Sequence, residues 1–401
     1  MATKIDTEVE SFARIKVVGI GGSGGNAVNH MIDQKVRGVE FITINTDAQN
    51  LHHSLAKKKI HIGKNLTKGL GAGMDPSIGR RASEETKEEI QESLKGADMI
   101  FIACGLGGGT GSGASVPVAQ VARELGALTV GVVTKPFSFE GAQRMKIALS
   151  AIEELKKEVD ALIVIPNDRL FGIIQKDTSL KNAFAMCDEV LRQAVEGISD
   201  LITMPGIINL DFADIRAILQ NAGSALMGVG MSDGEKRAIE AAQMAINSPL
   251  LDVSVAGAKG VLFAVAGGDD LTMMEIQDAA RIITENVDKE AKIIFGAVKD
   301  ERLKKNELMV TVIASGFPEN SSGNAPLFTM SRKEKEKTEE SGKIFNTFSK
   351  PSALTDSLKE EEKEEKIEPS AKQEATELKP KAEDLSDDEW GAIPAFLRRK
   401  K

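Results

Sequence analysis

Two glycine-dense loops are where this chain could do chemistry, and that chemistry is anion binding. The first, GIGGSGG at positions 19–25, follows an apolar run and leads into Asn26-Ala27-Val28-Asn29, an expected helix start. Glycine there lets the N–H groups of a helix N-terminus close on a phosphate, which the helix dipole favours. Gly21, Gly22, Ser23, Gly24, Gly25 and Asn26 are the candidates. A lone GxGxxG is a weak signal that fits a dinucleotide site or a plain strand-to-helix turn. The second loop, GLGGGTGSG at 105–113, has six glycines in nine residues. Gly105, Gly107, Gly108, Gly109, Thr110 and Gly111 would form an anion-binding nest, with Thr110 and Ser112 offering hydroxyls to phosphate or magnesium. Two cradles imply a polyphosphate.

Other candidates follow other strands. Asn45 and Asp47 stand after the second, and Gly71, Ala72 and Gly73 after the third. In an open parallel sheet the carboxyl ends of the strands share one edge, so one shared nucleotide site is the simplest reading. No G-x-x-x-x-G-K-[ST] occurs, which excludes the P-loop NTPases. Glu140 and Arg144 are four apart on one helix face. Arg144 suits a phosphate oxygen and Glu140 a sugar hydroxyl, but an ordinary surface ion pair has the same spacing. Asn167 and Arg169 are ambiguous in the same way. Phe184 and Asp188, one turn apart, can offer an aromatic face beside a carboxylate. A carboxylate accepts from both N1–H and the exocyclic amine of guanine, a donor pair adenine lacks, although by themselves the two residues read as core and solvated surface. Asp211 and Asp214 stand three apart at a helix start, where the bland reading is an N-cap and a first-turn acid. His52, His53 and His61 lie near one another, and exposed loop histidines are the commoner explanation.

These residues need a scaffold, and from Arg14 to about Phe317 short apolar runs alternate with helical periodicity, the pattern of an α/β fold. Strands are expected at 15–20, 40–44, 59–62, 98–103, 128–133 and 162–165. Helices are expected at 79–94, 114–124, 143–158 and, longest, 179–202. Beyond Asn209, helices at 212–221, 235–246 and 273–285 alternate with strands at 226–231, 260–266, 293–298 and 308–314. This half is expected to form a second, smaller sheet in its own subdomain. Its last two strands have no helix between them, so a hairpin or other antiparallel pair is expected across 299–306.

Composition narrows the function classes. Of 401 residues 41% are hydrophobic and 28% charged, in the globular range. One Trp and no Tyr leave little for aromatic base-stacking platforms, and a net charge of −9 argues against general nucleic-acid binding. Cys104 and Cys187 lack CxxC spacing and suit reduced core positions. No run reaches the roughly 20 apolar residues of a membrane span, so a cytoplasmic protein is expected. Residues 319–389 hold 12 Lys and Arg against 19 Asp and Glu, a composition expected to stay disordered. The last twelve residues, WGAIPAFLRRKK, restore bulky apolar and basic side chains and look like a docking peptide.

Together these motifs resemble the FtsZ family, the bacterial cell-division branch of the tubulin superfamily. GGGTGSG at 107–113 is similar to the tubulin signature loop, and it is joined in order by GIGGSGGNAVN at 19–29, NTDAQ at 45–49 and NLDFADI at 209–215. IPAFLRR at 393–399 is similar to the family's C-terminal peptide. The resemblance implies an α/β fold: a Rossmann-like parallel-sheet GTPase domain at 14–178, a central helix at 179–202 and a smaller α/β domain at 203–317. These would be flanked by an N-terminal extension at 1–13, a disordered linker at 318–389 and a docking peptide at 390–401. It also implies GTP or GDP with Mg²⁺ held largely through the phosphates, and K⁺ as a candidate second cation. Gly22 to Asn26 and Gly108 to Thr110 would hold phosphates, Glu140 and Arg144 the ribose and phosphate, Asn26 and Asp188 the guanine, and Phe184 would stack on the base. Asn209, Asp211 and Asp214 would act on the GTP of a neighbouring copy, so hydrolysis would depend on head-to-tail assembly. Adaptors of the FtsA, ZipA or SepF kind would hold the filament on the inner face of the membrane at mid-cell. Two other readings are an NAD-dependent Rossmann oxidoreductase, which needs no second glycine cradle, and a nucleotide-binding scaffold without turnover, which Asp211 and Asp214 argue against.

Overall fold

Ile15–Ile20 is buried at every position, as a strand covered on both faces must be. It is β1 of a computed structural model that describes residues 13–317, except 173–178, 205, 209, 249–254, 256 and 301. All of these lie in one compact unit, Met1–Pro326. There follow α1 (Gly21–Asp33), β2 (Val39–Asn45), α2 (Ala48–His52), β3 (Lys58–His61), α3 (Lys64–Thr67), α4 (Pro76–Glu85) and α5 (Lys87–Leu94). Next come β4 (Met99–Gly105), α6 (Gly109–Glu124), β5 (Leu128–Lys135), α7 (Ala142–Leu155) and β6 (Ala161–Pro166). The 24-residue α8 (Leu180–Thr203) leads to β7 (Gly206–Ile208), α9 (Phe212–Leu219), β8 (Gly223–Asp233) and α10 (Arg237–Ile246). The last elements are β9 (Gly260–Gly267), α11 (Met273–Glu285), β10 (Lys292–Lys299) and β11 (Glu307–Ser315).

The six strands of the first half pair in parallel in the order β3-β2-β1-β4-β5-β6. The order reverses between β1 and β4, the point at which open α/β sheets leave a crevice at their carboxyl edge. Both long glycine loops leave from those two strands. Side-chain alternation divides the core in two. Val17, Phe101, Val130 and Ile163 pack with Val28 of α1 and Leu191, Val195 and Ile198 of α8. Val18, Ile20, Ile100 and Ile102 pack on the opposite face with Ala82, Ile90, Val118 and Leu155 from α4 to α7.

The second half does not form a separate sheet as expected. β8 is long enough to serve two neighbours: Gly223–Ala225 pairs in parallel with β6, and Ala225–Asp233 pairs antiparallel with β11. The result is one 11-stranded sheet ending β6-β8-β11-β9-β10-β7. The hairpin across 299–306 is also absent, because β9 lies between β10 and β11, parallel to the first and antiparallel to the second. β9 is buried at all eight positions and takes the interior place, whereas β10 exposes part of its length and takes an outer one. Two helices begin earlier than expected, α1 at Gly21 rather than Asn26 and α6 at Gly109 rather than Ala114. The helix expected at 79–94 is broken at Thr86 into α4 and α5.

Arg237, 4% exposed, fastens α10 to the α11 start, with Nη1 donating to Asp270 at 2.8 Å and Nε to Glu275 at 2.6 Å. The guanidinium holds both carboxyls below their ordinary range, so the pairing stabilises the fold above that range and is lost as pH falls through it. Arg237→Ala is expected to lower stability by about 2 kcal/mol, read as a lower urea midpoint at constant slope. An unchanged midpoint would mean that solvent already screens the pairing.

Candidate functional site

The first turn of α1 and the first turn of α6 have no side-chain cap: Ile20 and Gly108 stand at their N-cap positions. The neighbouring α2 and α4 are capped by Asp47 and Asp75. Free N–H groups at a helix start are an anion site when something brings a ligand to them, and here two such starts face one cleft. The loops are pressed together: a Cβ on Gly21, whose φ is +73°, would lie 3.1 Å from Gly111 N. The cleft holds about 470 Å³ and is lined at this end by Gly21, Gly22, Ser23, Gly73, Gly105 and Gly108 to Gly111.

Not every loop N–H is available. Gly109 N donates to Gly73 O at 2.9 Å, and Gly107 N to Ser112 Oγ at 2.9 Å. The third glycine loop therefore braces the second, and Thr46 Oγ1 meets Thr110 Oγ1 at 2.7 Å. Asp47 bridges to Leu70, and its carboxylate accepts from Asn50 N at 3.0 Å. Asn45 is buried, donating to Asn50 Oδ1 at 2.9 Å and accepting from Asp47 N at 3.2 Å. Asn45, Asp47, Gly71 and Ala72 thus stand behind the cleft as a brace, and Gly24, Gly25 and Gly107 are likewise outside its lining. Among the described residues no cluster of three His, Cys, Asp or Glu could hold a metal.

At the other end the lining comes from Asn26 of α1, from Glu140, Arg144 and Asn167 after β5 and β6, and from Phe184, Cys187 and Asp188 of α8. Ser179 caps α8, and its amphipathic turn brings Phe184 and Asp188 to the lip. Phe184 is 41% exposed and meets the buried Phe137 edge-on at 5.5 Å, in a cluster with Phe139 and Phe171. Glu140 accepts from Phe137 N at 3.0 Å and pairs with Arg144 at 2.8 Å. Asn167 is buried with its Oδ1 unpartnered among the described residues, an acceptor awaiting a donor. Burial pushes the Asp188 carboxyl up to about 6, against the pull of His30, and pushes the Cys187 thiol up to about 12.

Comparison with known proteins decides what the cleft belongs to. Residues 14–175 match the GTPase domain of the Tubulin/FtsZ family, and residues 223–318 the C-terminal domain of the FtsZ family. The structure of an empty FtsZ dimer from M. jannaschii is 49% identical over 76% of this chain and 88% of its own, with a TM-score of 0.73. The chain is a member of the FtsZ family. A mutant M. jannaschii FtsZ gives 48% identity at the same TM-score of 0.73, covering 76% of this chain and 92% of its own. CetZ2 from Haloferax volcanii, solved as a GTPγS-bound protofilament, is 20% identical with a TM-score of 0.66, over 76% of this chain and 94% of its own, a likeness of fold alone. An FtsZ-family chain carries a tubulin-type GTPase domain, from a GTP-hydrolysing family. The α/β architecture expected from the sequence is the one found.

Asp211 and Asp214 do not line the cleft. Asp211 is exposed and caps α9, its Oδ1 accepting from Asp214 N at 2.8 Å. Asn209, the third residue expected there, lies outside the described residues, as do the linker at 318–389 and the peptide at 390–401. His52 and His53 touch edge-on, and His61 hydrogen-bonds Thr46 O at 3.3 Å. Five lining residues are not among the candidates read from the sequence: Ile20, Leu106, Thr134, Pro136 and Cys187. Pro136, one residue past β5, is the kind of signal that could have been used.

Proposed function

We propose that this chain binds GTP in the cleft, hydrolyses it across the junction between two copies, and so polymerises head to tail into the filament of a cell-division ring. The observation that carries the reading is an incomplete site. The cleft joins two uncapped helix starts to an end lined by Phe184 and Asp188, yet among the described residues its lining carboxylates are Glu140, paired with Arg144, and Asp188 at that far end. Neither is at the phosphate end, so among the described residues of one chain no lining carboxylate is placed to orient a water there.

Asp211 and Asp214, exposed or half-buried at the head of α9, are suited to supply it from the next copy, together with Asn209. Phosphates would lie on free N–H groups of the α1 and α6 starts, Arg144 and Glu140 on phosphate and ribose, and Asn26 and Asp188 on guanine with Phe184 stacked against it. Thr110 offers a hydroxyl to a magnesium ion carried mainly by the phosphates, whose part is to neutralise charge on the transferred phosphoryl group. K⁺ is a candidate second cation. The boundaries 14–178, 179–202 and 203–317 would divide GTPase domain, central helix and C-terminal domain. The peptide at 390–401 would recruit an adaptor of the FtsA, ZipA or SepF kind, which fits a chain whose described helices are all too short or too polar to cross a membrane.

Phosphate release measured against protein concentration, with light scattering in parallel, tests the shared site. GTP-specific turnover is expected to switch on above a threshold concentration together with scattering. Turnover linear from the lowest concentration would place a whole site in each chain and withdraw the roles of Asp211 and Asp214.

A further inference from the structure

Thr46 is 0% exposed and does not line the cleft, yet its hydroxyl meets one that does: Thr46 Oγ1 stands 2.7 Å from Thr110 Oγ1. Its backbone is fixed from β3 and α3. Thr46 O accepts from His61 Nε2 at 3.3 Å and lies 3.2 Å from Thr67 Oγ1, and the Asn45 carbonyl before it accepts from Ile62 N at 3.0 Å. Thr110 is confined on its other sides. A Cβ on Gly21 would lie 3.4 Å from Thr110 Cβ, and one on Gly79 would lie 3.1 Å from Thr110 Cα.

Which hydroxyl donates follows from what else each can reach. A hydroxyl carries one hydrogen and two lone pairs, and a buried hydrogen without an acceptor is costly. Among the described residues Thr110 Oγ1 is the one hydrogen-bond partner of the Thr46 hydroxyl, so the Thr46 hydrogen goes there. If Thr110 donated instead, Thr46 would keep a buried hydrogen with nothing to receive it. Thr110 is half-buried at the cleft wall and has its own hydrogen, with one remaining lone pair, left for the cleft. Accepting from Thr46 also polarises that O–H and makes it the stronger donor.

We infer that Thr46 is a positioning residue for the phosphate end: by donating to Thr110 it turns the Thr110 hydrogen into the cleft, where it joins the free N–H groups at the α6 start as a donor to a phosphate oxygen. This rests on the reading of the cleft as a phosphate site. Without the Thr46 hydroxyl, the Thr110 hydroxyl can rotate and face the anion with its lone pairs.

The test is a double-mutant cycle on full-length protein below its assembly concentration, read by equilibrium binding of GTP and by thermal melts of the nucleotide-free protein. Thr46→Val removes the hydroxyl at nearly constant volume and should weaken GTP binding about fivefold, whereas Thr46→Ser keeps the donor and should bind like wild type. Thr110→Val should weaken binding about tenfold, and Thr46→Val should add nothing to that loss. Melting reads the direction of the bond. Thr110→Val strands the buried Thr46 hydrogen and should melt below wild type, Thr46→Val leaves Thr110 open to water and should melt close to it, and the double variant should recover most of the Thr110→Val loss. Thr46→Ala takes the place of Thr46→Val should the latter fail to fold. Wild-type GTP binding by Thr46→Val would overturn the inference, and an equal further loss in the Thr110→Val background would make Thr46 a packing residue only. A lower melt for Thr46→Val than for Thr110→Val would reverse the donor and overturn it as well. Wild-type GTP binding by Thr110→Val would instead take the phosphate away from Thr110, and the reading on which the inference rests would fail.

Discussion

Asp211→Ala is expected to leave GTP affinity within about twofold of wild type and to slow phosphate release by about 100-fold or more, the usual loss when a group that positions water is removed. Filaments should persist, because GTP stays intact in them. Asp211 is the N-cap of α9, with Oδ1 on Asp214 N, and an Ala there costs about 1 kcal/mol of helix stability whether or not the residue acts on GTP. Asp211→Asn separates the two roles, since it keeps a capping oxygen and removes the charge. Unchanged melting with turnover still lost in Asp211→Asn assigns the loss to chemistry. Mixing gives a sharper test. An Asp211→Ala copy keeps its own cleft, and a cleft-defective copy keeps its Asp211, so a mixture should recover turnover that neither has alone. Wild-type turnover by Asp211→Ala would refute the shared site.

The parts of this protein that could be read from the sequence are those where backbone chemistry leaves a composition. Glycine density marked both loops, and strand alternation marked every strand of the first half. Sheet order in the second half was illegible because adjacency in sequence is not adjacency in a sheet. The short turn at 299–306 suggested a hairpin, but the eight buried positions of β9 claim the place between its two neighbours. Side-chain roles were read less well. Asp47 stood out only as a residue following the second strand, and its place before Ala48-Gln49-Asn50 is that of an N-cap, a role it has. His30 drew no attention, because the residue it hydrogen-bonds, Glu189, is 159 residues away. Asp211 and Asp214 had two readings that the structure leaves compatible, since one oxygen caps the helix and the residue is still exposed.

The glycines of the first loop look alike in sequence and should fail in opposite ways. A Cβ on Gly24 would lie 2.3 Å from Ala103 O, inside the contact between α1 and β4. That atom belongs to the central sheet and cannot move aside, so Gly24→Ala is expected to destabilise the fold by about 3 kcal/mol. Any weakening of GTP binding would then follow the loss of folded protein. Gly22, two residues earlier, is exposed at the cleft, and a Cβ there meets nothing within 4 Å. Gly22→Ala lies in the first turn of α1, where Ala is the better helix former, so stability should hold or rise by up to about 1 kcal/mol. Its methyl group would nevertheless occupy the space in which a phosphate must approach the α1 N–H groups, and GTP affinity should fall about 100-fold. Denaturation midpoints and nucleotide binding, measured on both variants, separate the two effects. A Gly22→Ala protein that is fully folded and binds GTP like wild type would mean that the α1 start does not hold the phosphates. The cradle would then have to be built from the α6 start alone, where Gly109 has already committed its N–H to Gly73.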